Sequence, residues 1–507
     1  MNHEVSRFAR GILTGLLAVL VASVGPAYAA GGKLVIADAF PPTAGWAMET
    51  DDTFTLTKVG CLEGLARLDF DGALVPALAT GWEQVSPTEW DVTVREGVKF
   101  QNGEPLDAAA VAGALNHVLS AAAPARAFSP KVVASVAATG DMTVRITTPS
   151  PSVLLPHRLA SPNTGILAPA AYADEQIDPM GTCTGPFRIV EHLPEQALRL
   201  ERNADYWGGD VRLQEAEFRF IPDGGVRATQ VQTGEAHISR VVPVSALEKM
   251  KTVEGVNVMA IETARTNGLY FNNERAPFDN VNARRAVQSA IDAEAIAATI
   301  YEGSARAAVG PFAPNEPWAP AGATVAAYDP ERAKNLLAEA GIDAGGLNLS
   351  LLAYTERAEL PDVAAVIQAQ LQQIGVKAEI RTSNWGGIEK DLYAGNFDLF
   401  LMSRNHLIDV ADPIAFLTAD YTCEGGFNVS NYCDPSVDAV LDAARSNADP
   451  AARNAAYAEV AAKLQGEAVT AFLVHVQHIE AVSEKVANYR IHPLQHYLLV
   501  PDLGLAE

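Results

Sequence analysis

In the first half of the chain, apolar positions come in short runs of two kinds. Lys33-Leu34-Val35-Ile36-Ala37 is nearly continuous, as in a buried strand, and Trp90-Asp91-Val92-Thr93-Val94 alternates, as in a strand with one wet face. Met142 to Ile146, Arg188 to Val190, Leu198 to Leu200 and Glu217 to Ile221 are predicted as further strands. Asn102-Gly103 supplies turn chemistry before Pro105-Leu106, and Asp107 stands as the cap of an Ala-rich helix ending near Leu119.

After Leu269-Tyr270-Phe271-Asn272 the period lengthens. Val281, Val287, Ile291, Ile296 and Ile300 recur at helical spacing behind Asn280, a capping residue. A second helix is bounded by Asp329-Pro330 and Gly341, and a third runs from Pro361 to Ile374 with Gly375 as its stop. The third leads into the strand Lys377 to Arg381. A helix over Pro450 to Gly466 precedes strand-like Ala471 to Val474, and the Pro-rich stretch Pro311 to Pro320 reads as a loop. Strands alternating with helices predict a sheet with helices packed on it.

The first residues read differently. Arg7 and Arg10 precede the apolar run Gly11 to Val24, followed by Ala27-Tyr28-Ala29: a basic segment, a hydrophobic segment and a small-residue cleavage site. The run is shorter than the ~20 residues a membrane-spanning helix needs, so residues 1–29 are expected to be a cleaved export signal. The mature chain would then fold outside the cytoplasm as a soluble protein.

Composition narrows the function. With 49% hydrophobic residues in 507, the chain has material for two or three cored domains and is not disordered. Its 61 acidic against 37 basic side chains leave a net charge of −24, which argues against nucleic-acid binding, since that affinity comes from neutralised phosphates. Four cysteines in an exported chain allow two disulfides in three connectivities. Cys423 and Cys433 bracket a Gly-rich turn that can bring its ends together, which leaves Cys61 for Cys183; a four-thiolate metal site lacks the C-x2-C spacing it would need.

The usual nucleophile, zinc and phosphate-loop motifs are absent, so no catalytic residue is assigned. A carboxylate pair of a secreted hydrolase could still be hidden among the acidic residues. His475 and His478 are not read as a metal pair, because a strand would point them to opposite faces.

Four stretches carry a resemblance. Gly72 to Trp82 with Val94-Arg95-Glu96-Gly97-Val98-Lys99-Phe100, then Gly185-Pro186-Phe187 with Leu200 to Gly208, then Phe271-Asn272 with Pro277-Phe278 and Arg284 to Asp292, and finally Asp409 to Pro413 occur in an order that resembles family 5 of the extracytoplasmic solute-binding proteins, the peptide and nickel binders of ABC importers. The resemblance implies an α/β, two-lobed periplasmic binding protein fold (class II, large three-subdomain type) with the ligand cleft between the lobes. It places lobe I at 30–268 with a C-terminal return at 487–507, and lobe II at 269–486. It implies a monomeric, cofactor-free carrier that delivers a small zwitterionic solute, a short peptide before a nickel chelate, to an inner-membrane permease and its ATPase. Trp82, Tyr206 and Trp207 are expected to be scaffold. Dipeptide binders of this family take the ligand ammonium on an acidic residue before an Asp-Pro pair, matched by Asp409, and carry a Cys pair soon after, matched by Cys423 and Cys433. Arg357 stands near the place of their carboxylate-binding Arg. Arg404 resembles an Arg of the nickel and metallophore binders, beside which His406 could ligate a metal.

Overall fold

Two long antiparallel strands, Val256–Phe271 and Thr470–Ser483, run side by side through the middle of the molecule. In the computed structural model, which describes residues 32–174 and 176–506, they are central to one eleven-stranded sheet. The expected export signal lies outside the described residues.

On one side of this pair the sheet continues through Leu399–Asn405, Asn348–Tyr354 and Lys377–Ser383. On the other it continues through Ile238–Ser239, Lys33–Asp38, Glu215–Phe220, Ala197–Arg202 and Phe187–Leu193, and the short strand Ala305–Ala307 pairs with Thr470–Ser483 off this path. Each side has its own core. Phe271, Phe400, Leu371 and Tyr421 belong to one, and Phe100, Phe128, Leu115 and Phe218 to the other. A separate four-stranded antiparallel sheet, Ala79–Ser86, Glu89–Val94, Thr143–Thr147 and Ser135–Gly140, packs under the helix Ala108–Leu119 and shares the second core. This is the two-lobed α/β architecture that the resemblance implied.

The helix boundaries follow from their caps. Asp107 accepts from the Ala110 amide at 2.8 Å, and Asp329 from the Arg332 amide at 2.9 Å. Gly375 closes the helix Leu360–Gln373 with a φ of +84°, a conformation in which a Cβ would be strained. The single helix predicted from Val281 to Ile300 is instead two, Val281–Ser289 and Ala293–Thr299. Asp292 interrupts it by capping the second, accepting from Ala295 at 2.8 Å. The strand predicted over four residues at Ala471 to Val474 extends to Ser483, and the strand Val256–Phe271 was not anticipated. Among the described residues no helix is long and apolar enough to cross a membrane.

Both disulfides form as expected, Cys61–Cys183 and Cys423–Cys433. The first fastens the loop after the helix Asp52–Lys58 to the turn before Phe187–Leu193. At that turn a Cβ on Gly185 would come within 2.3 Å of the Gly60 carbonyl oxygen, so the close approach requires glycine. Beside it Glu63 accepts hydrogen bonds from Tyr206 Oη (2.9 Å), Trp207 Nε1 (2.8 Å) and Thr184 Oγ1 (2.8 Å). The aromatic hallmark pair is thus tied into the scaffold of the N-terminal lobe.

Candidate functional site between the lobes

The strand Leu399–Asn405 is buried along its whole length, so the residues at its end are placed by a rigid element. Arg404 donates from Nε and Nη2 to the two oxygens of Asp420, at 2.8 and 2.7 Å. Asp420 stands on the helix Ile414–Tyr421, and the guanidinium lies 4.9 Å from the Phe427 ring centre and 5.5 Å from that of Phe416. Burial works against the charge on Arg404, but the carboxylate of Asp420 outweighs it, and the pKa is raised.

His406 follows at once. Its Nε2 lies 2.7 Å from Glu316 Oε1, whose other oxygen accepts from the Ala313 amide at 2.6 Å. Phe312, Phe416 and Trp318 surround the ring. The imidazole is therefore fastened to the Pro311–Pro320 loop, with its Nδ1 buried and unpartnered. Among the described residues no three His, Cys, Asp or Glu side chains are grouped to hold a metal. His475 and His478 serve separate networks, His475 with Thr266 Oγ1 at 2.9 Å and His478 with Glu480 at 2.6 Å.

Asp409 faces the other lobe. Its two oxygens accept from Arg126 Nε at 2.9 Å and Nη2 at 3.1 Å, and Arg126 belongs to the loop between Ala108–Leu119 and Ser135–Gly140. The pair thus joins the lobes. Arg126 remains half exposed, whereas Asp409 is mostly covered. Asp51 stands nearby with its pKa raised, first by burial and then by Asp409 and Asp52, against the pull of Arg126.

Aromatic side chains line the same boundary. Arg126 sits over Phe427 (5.6 Å to the ring centre), Phe427 stacks on Trp385 at 6.4 Å and 17°, and Trp385 meets Tyr354 edge-on at 5.5 Å. Beyond Tyr354, the half-buried Arg357 occupies the turn that leads into the helix Leu360–Gln373. Arg265, on the strand Val256–Phe271 and paired with Asn405, reaches back to Ser403, where Nη1 donates to the carbonyl oxygen at 3.2 Å and to Oγ at 3.3 Å. Burial first, and Arg357 next, pull the Arg265 guanidinium down to about 9, which leaves it charged at neutral pH.

Of the four expected residues, Asp409 meets the other lobe through Arg126, Arg404 is buried against Asp420, His406 is held by Glu316, and Arg357 stands on the turn beyond Tyr354. Arg126, Asp51, Arg265, Trp385 and Phe427 were missed. Their sequence neighbourhoods carry no signal, because the site is assembled from segments of both lobes. A groove of about 760 Å³ lined by Trp46, Met180, Val190 and His192 lies against the strand Phe187–Leu193 and includes none of these residues.

Two lobes joined by crossing strands, with charged and aromatic side chains meeting at their boundary, define a solute-binding protein of the periplasmic type. Residues 73–428 match the model of the bacterial extracellular solute-binding proteins, family 5 (middle), and the chain belongs to that family, the binding components of ABC importers. It is 25% identical over 451 residues to the nickel-binding protein NikA of Staphylococcus aureus (88% of this chain, 90% of the relative). It is 26% identical over 455 residues to the dipeptide-binding protein of Escherichia coli (83% and 84%). The solved structure of the Staphylococcus aureus NikA with Ni(L-His)2 superposes with a TM-score of 0.81 at 24% identity, covering 94% of this chain and all of that one.

Proposed function

We propose that this chain captures a small zwitterionic solute, a short peptide first of all, between its lobes and releases it unchanged to an inner-membrane permease and its ATPase. It does so as a periplasmic monomer, exported on residues 1–29. The observation that carries the ligand class is the ion pair between Asp409 and Arg126. A carboxylate at the lobe boundary is matched to a cation, and the cation it holds is a half-exposed side chain that a ligand ammonium can replace. Arg357 supplies the opposite charge for a ligand carboxylate, and the wall of Trp385 and Phe427 accepts an apolar side chain. The relationship to a dipeptide-binding protein supports the same reading.

A nickel chelate is the second reading, favoured by the relationship to a nickel-binding protein. It needs Arg404 for the chelate's carboxylates and His406 for the metal. Arg404 is committed to Asp420 and His406 to Glu316, so both would have to leave internal partners. Protein stripped by unfolding and refolding, titrated calorimetrically with a dipeptide pool and with nickel chelates, tests the choice. Peptide binding with intact recovery of the peptide, and a loss beyond about a hundredfold in Asp409→Ala, is expected. Full peptide affinity in Asp409→Ala refutes the ammonium role; chelate binding abolished by Arg404→Ala and His406→Ala, with Asp409→Ala harmless, transfers the site to the second reading.

A further inference from the structure

The cations at the lobe boundary are not equally free. Arg404 is neutralised by the bidentate contact with Asp420, and Arg126 by that with Asp409. Arg265 and Arg357 have no carboxylate within ion-pair distance among the described residues. Glu359, two residues beyond Arg357, is the nearby anion that acts on Arg265 through space. With the neighbouring Glu356 engaged by the Trp385 amide, two guanidinium groups against Glu359 leave positive charge over in half-buried surroundings.

The geometry gives that charge a direction. Arg265 is anchored to Ser403 through Nη1 alone, so Nε and Nη2 are left for another acceptor. The Ser403 amide donates to Tyr354 Oη at 3.2 Å, which sets the phenol beside the same guanidinium, and Tyr354 touches Trp385 in the aromatic wall. The strand that carries Arg265 also places the neighbouring Thr266 opposite Arg404, so Arg265 is held by the sheet, whereas Arg357 stands on a turn.

We propose that Arg265, with Arg357, forms a two-arginine clamp for one carboxylate of the solute, in which Arg265 is the fixed half and Arg357 closes from the turn. The proposal rests on the solute-binding reading and adds its specificity-determining residue, together with the requirement for a carboxylate whether the solute is a peptide or a chelate. A single carboxylate cancels the surplus charge; a phosphate dianion would overshoot it. Each planar fork can grip a carboxylate with two parallel hydrogen bonds, whereas a lysine at either place would offer only a point charge without that geometry.

The test uses ligands in matched pairs on stripped, refolded protein: dipeptides with free C-termini against the same dipeptides as C-terminal amides, and the nickel complex of histidine against that of imidazole. The wild type is expected to bind the carboxylated member of at least one pair roughly a hundredfold more tightly than its carboxylate-free twin. Arg265→Met should bind both members of that pair alike, and Arg265→Lys, which keeps the charge but not the fork, should recover only part of the discrimination. Circular dichroism confirms that the variants fold. Should Arg265→Met not fold, Arg265→Lys with Arg357→Met carries the same comparison. Equal binding of both twins by the wild type, or undiminished discrimination in folded Arg265→Met, overturns the clamp while leaving the solute-binding reading intact. Binding of neither pair by the wild type overturns that reading, and the clamp with it.

Discussion

A single side chain can be right in kind and still be understood only through its partner. Asp409 was marked by the Asp412-Pro413 pair three positions on, yet the cation it pairs with, Arg126, lies 283 positions away and announces nothing locally. The same holds for Arg404, which matched an Arg of the chelate binders and whose Nε and Nη2 are both taken by Asp420. What was legible was the residue; what was not was which of its charges had already been cancelled. Histidines at the C-terminal return show the same dependence on surroundings. His492 is 1% exposed, and burial holds its pKa down at about 4, while its Nδ1 accepts from the amides of Leu494 and His496 at 3.2 and 3.3 Å. A histidine depressed in the fold takes up its proton more readily unfolded, so its contribution is intact above about pH 6.5 and is lost as the pH falls toward about 4. Between pH 7 and pH 5 that amounts to about 2 kcal/mol. His492→Asn keeps an acceptor without a titrating ring, and its urea-unfolding free energy should fall less over that interval than that of the wild type. An identical fall in both would place the acid sensitivity elsewhere.

At the scale of elements, short signals were read well and long ones poorly. Asp107 and Asp329 each mark a helix start because a cap is a property of three or four consecutive residues. The strand Val256–Phe271 escaped because it serves two surroundings in succession. Its first half, with Val256 and Val258, packs against the small core around Ile479, and its second half lies in the core around Phe400, with Glu262 to Arg265 between them. No one period describes such a strand. The cysteine spacing was the opposite case, since a loop with a separation of 10 can hardly choose another partner. Separation also orders the energetics. In chain-entropy terms the Cys61–Cys183 closure, with a separation of 122, should be worth about 4 to 5 kcal/mol, and the short closure about 2 to 3 kcal/mol. Guanidinium unfolding of Cys61→Ala/Cys183→Ala and of Cys423→Ala/Cys433→Ala should therefore show the larger loss in the first double variant. Equal losses would mean that native contacts around Gly185, and not loop length, set the cost.

For the whole molecule the question is what moves. The crossing strands change register between Glu262 and Thr266, where the pairing with Gln477 gives way to that with His475. Two rigid cores joined at such an irregularity can rotate about it, and we propose this as the hinge, with the return segment near Val486 as its companion. In that reading the Arg126–Asp409 pair is a charged contact between the lobes that favours closure. Because Arg126 is half exposed, water screens the pair, and it is worth at most about 1 kcal/mol, or roughly a fivefold bias between closed and open. A solute that brings its own ammonium must displace Arg126, whereas it gains the contacts of both lobes, so the bound form should be more fully closed than the free one. Small-angle scattering should give a smaller radius of gyration with a bound dipeptide than without. Arg126→Ala without ligand should be the most expanded of the three. Raising the salt concentration should expand the free wild type toward the Arg126→Ala value and leave that variant unchanged, since only a screened charge pair responds in this way. A free wild type already as compact as the complex, and indifferent to salt, would mean that the lobes are fixed and that the solute enters a preformed cleft.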